Sequence, residues 1–164
     1  MISDNSYGSR PDYLPDFVND IQGWGDRQVR LLNHAESREL EAVSLSRFPA
    51  ATSSALDWGA VPFEERMWWD GEDDWTRMAA EILAPYLQNG RQVAVFWGNL
   101  VMPTVTMPAT LAVQQAREIL DAAPHFWVYP LGGSVLVECL LDGQVTVAKK
   151  KSRAGAKGAR GNAP

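Results

Sequence analysis

The sequence predicts an α+β domain, with a mixed or antiparallel sheet of about five strands packed against two to four helices. Three observations predict it. Apolar residues recur at intervals of three and four in residues 75–87 and 109–123. Short apolar runs bounded by Gly or Pro follow at 93–97, 126–129, 134–141 and 144–148. The last two runs are joined by Asp142-Gly143, a strong hairpin signal.

Taken in order, residues 1–26 are rich in Asp, Pro and Gly, with apolar anchors at Tyr13, Leu14, Phe17, Val18, Ile21 and Trp24. They read as an acidic arm with a short helix near 15–21. Residues 27–48 favour helix, with Leu40, Val43 and Arg47 on one stripe and Glu36 interrupting it. Residues 49–71 carry Pro49, Gly59, Pro62 and Gly71 and read as a long irregular connection.

The clearest helix follows, with Trp75, Met78, Ala79, Ile82, Leu83, Tyr86 and Leu87 on one stripe. Asp73 and Asp74 stand in its first turn, where negative charge complements the helix dipole. Pro85 is expected to kink it and Asn89-Gly90 to stop it. Residues 93–97 suit a buried strand. Residues 100–107 read as a second strand, placed at an edge or a bulge by Pro103. Pro108 opens a helix over 109–122, and three strands complete a sheet expected to be covered mostly on one side. Residues 27–148 thus form the single domain, and the basic stretch 149–164 reads as a disordered tail.

The charge is divided along the chain. Residues 1–148 hold nine Arg, no Lys and all 20 acids, a net of −11, while six basic residues crowd into 149–164. An acidic body repels nucleic acid and anionic lipid and prefers cationic partners. Leu, Ile, Val and Phe make up 38 of those 148 residues, enough for a folded core. No apolar run reaches the length of a membrane span, and the start lacks a signal-peptide pattern, so the expected location is the cytoplasm.

Catalytic signatures are missing from the sequence: there is no phosphate-binding Gly loop, no Gly-x-Ser-x-Gly elbow and no His-Glu-x-x-His. Gly132-Gly133-Ser134 reads as a turn before a strand. His34 and His125 stand apart from other ligand-type residues, and Cys139 alternates with Val135 and Val137 as a small core residue. Glu138 falls on the opposite face of that strand, where a carboxylate needs a partner, with Arg91 or Arg117 as candidates. A competing reading gathers Glu138, His125 and Trp97 around the pocket of a small enzyme or ligand-binding domain. Asp70-Gly71-Glu72-Asp73-Asp74 lacks the ligand spacing of a calcium loop. No catalytic residue, cofactor or metal is expected. The tail carries charge without aromatics and would touch nucleic acid only weakly.

Two acidic clusters remain. Glu64, Glu65, Asp70, Glu72, Asp73 and Asp74 face Arg66 alone within eleven positions, with Trp68-Trp69 among them. Two adjacent Trp residues cannot easily both point inward. One reading is therefore a contact surface of aromatic anchors ringed by carboxylates, with Trp68, Trp69, Asp70, Glu72, Asp73 and Asp74 as its residues. The other seals the Trp pair in the core and leaves the acids to solvate the next helix. Asp4, Asp12, Asp16, Asp20 and Asp26 against Arg10 form a looser cluster. It reads as a solvated arm or, through Asp12, Asp16 and Asp20, as an extension of the contact surface.

The stretch Val93-Ala94-Val95-Phe96-Trp97-Gly98-Asn99, then Val105-Thr106-Met107, a helix, His125-Phe126-Trp127-Val128-Tyr129 and Leu141-Asp142-Gly143-Gln144-Val145, resembles some immunity proteins of bacterial contact-dependent growth-inhibition and related polymorphic toxin systems. The likeness spans residues 91–148. It implies a small, acidic cytoplasmic protein that binds a cognate toxin domain, frequently a basic nuclease, and blocks its active site. It carries over no contact residues, because those surfaces differ among members.

Overall fold

The computed structural model describes residues 6–20, 29–47, 50–52, 55–56, 65–68, 74, 77, 79–87, 91–123, 125–140 and 143–149. They form an α+β fold on a seven-stranded antiparallel sheet. Its strands are β1 (Arg30–Leu31), β4 (Glu65–Trp68), β5 (Gln92–Trp97), β6 (Val105–Pro108), β7 (Phe126–Pro130), β8 (Val135–Cys139) and β9 (Gln144–Lys149). They lie in the order β1-β6-β5-β7-β8-β9-β4. β2 (Ala50–Thr52) and β3 (Ala55–Leu56) pair separately as a two-stranded ribbon.

The sheet is wider than the five strands expected, because two short segments are added at its edges. β1 lies within the stretch expected to be helical, and β4 within the stretch expected to be irregular. Neither carries a periodic signal of its own: each is a strand because it finds an edge, β1 against β6 and β4 against β9. One consequence is that β6, despite Pro103 just before it, is flanked on both sides by β1 and β5.

Turn chemistry accounts for the long hairpins. Gly143 has φ 90°, the left-handed region that glycine enters freely, and its N–H donates to the Leu140 carbonyl at 3.0 Å. Gly132, with φ 72°, opens the turn from β7 to β8, where the Gly133 N–H donates to Pro130 at 2.9 Å. Lys149, expected to begin the tail, is the last residue of β9.

The helices are α1 (Asp16–Asn19), α2 (His34–Val43), α3 (Ala84–Leu87), α4 (Ala109–Gln114) and α5 (Ala116–Ala122). Glu36 begins α2 instead of interrupting it. The Asn33 side chain accepts from the Glu36 N–H and the Glu36 carboxylate accepts from the Asn33 N–H, both at 2.9 Å, which closes a capping box. Before α3, Ala79–Leu83 forms a π-type turn. Pro85 lacks the N–H that a regular helix would aim at Glu81, and the wide turn stands where that bond would have been.

Both faces of the sheet are buried, where a cover on one side was expected. The larger core joins Val93, Val95, Met107, Phe126, Val128, Val137, Val145 and Val147 of the sheet to Leu83, Leu87, Ile119 and Leu120. Leu14, Phe17 and Val18 of the N-terminal arm pack into the same core. The second face gathers Ala94, Phe96, Trp127, Tyr129, Leu136 and Ala148 under Leu40 and Leu45. The burial of β5 from Val93 to Trp97 and of β7 throughout reflects this double cover.

Candidate functional site

The register places two rows of side chains back to back. On the larger core face, Trp97, Phe126, Cys139, Val145 and Met67 stand opposite one another in turn. On the second face, one residue along, the row is Phe96, Trp127, Glu138, Thr146 and Arg66. A strand's side chains alternate between faces, so Trp97 and Glu138 point away from each other through the sheet. The pocket expected around Glu138, His125 and Trp97 is therefore not assembled. Trp97 instead donates its indole N–H to the Pro103 carbonyl at 3.0 Å and fastens the loop before β6. His125 is half-buried at the entrance to β7, and its carbonyl accepts the Gly98 N–H at 2.9 Å.

Glu138 is fully buried and accepts a hydrogen bond from the Trp127 indole at 2.8 Å. The arginines expected to pair with it, Arg91 and Arg117, are both exposed. Beyond Glu138 in the row, Thr146 Oγ1 accepts from Arg66 Nε and from Gln144 Nε2, each at 3.2 Å. The Arg66 bond ties the edge strand β4 to β9, and the Gln144 bond lies within β9. Next to Glu138, the Cys139 thiol is pushed well above its ordinary pKa, first by burial and then by the neighbouring carboxylate.

β4 alternates as a strand should. Met67 packs toward the larger core, Arg66 is half-buried under Thr146, and Trp68 at the end of the strand is 56% exposed opposite Gln144. Among the described residues, Trp68 and Leu100 are the most exposed large hydrophobic side chains. Of the acidic residues expected around it, Asp74 is half-buried and pairs with Arg77 at 3.1 Å. Trp69, Asp70, Glu72 and Asp73 lie outside the described residues.

The arm presents a different arrangement from a string of free carboxylates. Asp12 is held bidentately by Arg10, at 2.9 and 2.6 Å, and the same guanidinium lies 4.1 Å from the centre of the Tyr13 ring. The Arg10 hydrogen bonds hold the Asp12 carboxyl below the usual range. Asp12 is thus already matched by a cation within the arm. Asp16 and Asp20 are exposed on α1 and beside its end, because that helix turns Phe17 and Val18 inward.

The structure also shows a feature that sequence reasoning did not reach. Tyr7, His34, Asn33, Pro11 and Pro103 line an open groove of about 510 Å³. The Tyr7 and His34 rings stack with centroids 5.0 Å apart. No local pattern could have joined Tyr7 to residues near 33 and 103, because the contacts span most of the chain.

Among the described residues, no group of three His, Cys, Asp or Glu is placed to hold a metal ion. Among them, too, no helix is long and apolar enough to cross a membrane. Compared with protein-family models and with curated proteins, the sequence matches none.

Proposed function

We propose that this chain is a cytoplasmic immunity protein of a bacterial contact-dependent growth-inhibition or related polymorphic toxin system. In this reading it binds a cationic toxin domain, a basic nuclease for preference, and blocks its active site without itself being an enzyme. The observation that carries the reading is Trp68. A large indole is left 56% exposed on an edge strand whose neighbouring segment, residues 64–74, holds six acids and one Arg. Exposed indoles of this kind anchor interfaces, and a desolvated anchor contributes roughly 2–4 kcal/mol. The carboxylates steer a cationic partner toward it and would occupy positions that the toxin reserves for substrate phosphates. The body charge of −11, from nine Arg against 20 acids in residues 1–148, agrees with such a partner.

The test is neutralisation. The open reading frame beside this one is read first, with a large secreted protein ending in a small basic domain as the expected result, and the full chain is then co-produced with that domain. Restored growth and a stable complex whose association slows with added salt are the expected results. A toxin that stays active and unbound in the presence of the folded chain overturns the proposal.

A further inference from the structure

Thr104 is a buried residue whose polar groups are each used by a different element. Its N–H donates to the Tyr7 hydroxyl of the arm at 2.8 Å, and its carbonyl accepts from Leu32, just after β1, at 2.8 Å. Its hydroxyl shares a 2.7 Å hydrogen bond with the buried hydroxyl of Ser37 in α2. The Tyr7 hydroxyl also donates to the Leu32 carbonyl at 3.0 Å, so the arm and β1 are joined to each other as well.

The post is firmer than the parts that hang on it. Next to Thr104, the Pro103 carbonyl accepts from the buried indole of Trp97, which ties this loop to β5. By contrast, β1 has two residues, and residues 6–10 reach the loop through the Gly8 N–H on Leu100 at 3.1 Å and the Arg10 N–H on Val101 at 2.9 Å. Leu14, Phe17 and Val18 anchor the rest of the arm in the larger core, which makes residues 6–10 a tethered flap. Gly8 seats that flap. Its φ is 66°, and an added Cβ would stand 3.3 Å from the Pro103 Cβ.

Releasing one of the three elements leaves a buried polar group of Thr104 without its partner. Releasing all of them lets water reach every group at once. The partial state is therefore the unfavourable one, and opening is cooperative. The open groove is built from the same parts: Tyr7, Gly8 and Pro11 of the arm form one wall, and Leu31 to His34 with Pro103 form the other.

We infer that Thr104 is the catch of a latch, through which residues 6–10, β1 and the first turn of α2 open and close as one unit, and the groove forms and dissolves with them. This device goes beyond the reading of Trp68 and does not depend on it.

The experiment is native-state hydrogen exchange on the full chain. The amides of Gly8, Arg10, Leu32 and Thr104 are expected to share one opening equilibrium, reached more easily than that of β7 and β8. Ser37→Ala removes the catch from the α2 side, and should speed exchange at Gly8 and Arg10 roughly fivefold or more, by the same factor as at Leu32. Gly8→Ala strains the flap from the opposite wall, and should speed exchange at Leu32 and Ser37 by a common factor. This second variant keeps the test in force should Ser37→Ala fail to fold. Three results each overturn the latch: Gly8 and Arg10 unmoved by Ser37→Ala, Leu32 and Ser37 unmoved by Gly8→Ala, or junction amides that open only together with β7 and β8.

Discussion

The indole N–H of Trp127 donates to the carboxylate of Glu138 at 2.8 Å, across neighbouring strands and inside a buried face of the sheet. A buried carboxylate deprived of a donor keeps its desolvation penalty, about 1–3 kcal/mol and more for a charged group. Trp127→Phe is expected to destabilise the fold by roughly 2–4 kcal/mol, combining that penalty with lost packing. Adding Glu138→Gln, which removes the charge, should recover part of the loss. Urea unfolding of the two single variants and the double variant measures the coupling. Additive effects would show that the bond contributes nothing specific.

A second long-range bond holds the arm. The Leu32 N–H donates to Thr104 at 2.8 Å, but the reciprocal ladder bond is replaced by Tyr7. The Thr104 N–H donates to the Tyr7 hydroxyl at 2.8 Å, and that hydroxyl donates to the Leu32 carbonyl at 3.0 Å. Tyr7→Phe leaves both backbone groups without this relay and should cost about 1–3 kcal/mol. Faster hydrogen exchange at the Thr104 amide, with the amides of β7 and β8 unchanged, is the expected signature.

Acid should loosen α2 at its start. The Arg30 hydrogen bond, at 2.6 Å, and then the Asn33 N–H hold the Glu36 carboxyl below its ordinary pKa of 4.5. A depressed carboxyl contributes stability that is present above its unfolded pKa and is lost as pH falls through the lower folded value. The stability difference between the native chain and Glu36→Gln should therefore be steady near neutrality and shrink as pH falls below the ordinary value of 4.5. Chemical denaturation at successive pH values checks it. A difference unchanged down to pH 2 would remove the capping box from the acid response.

The Cys139 thiol is fully buried and its pKa is raised by that burial and by Glu138. The thiolate is the reactive form, so a disulfide reagent at neutral pH should modify Cys139 only as fast as the sheet opens. The measured rate should track unfolding and rise with denaturant. Rapid labelling of the native protein would contradict this packing.

Much of the central sheet was legible in the residues. The apolar runs that became β5, β7, β8 and β9, and the turn at Gly143, follow from side-chain alternation and glycine's conformational freedom, which are local properties. Cys139 facing the core is a period-two argument that the structure reproduces. β1 and β4 were not legible, because two to four residues carry too little pattern to outweigh the helix or loop signals around them. The pocket joining Glu138 to Trp97 failed for a related reason. Each residue's face could be guessed within its own strand, but which faces coincide depends on pairing between strands.

Local chemistry therefore dictates the central strands β5, β7, β8 and β9, their turns, the acidic body and the indole at position 68, because each depends on neighbours a few residues away. Pairing between distant segments decides the rest. It sets Trp68 on an exposed edge, puts Trp97 and Glu138 on opposite faces, turns the Asp12 charge onto Arg10 and threads the Tyr7 hydroxyl into the β1–β6 ladder. These are relations of register and contact over tens of residues, and only the closed sheet fixes them.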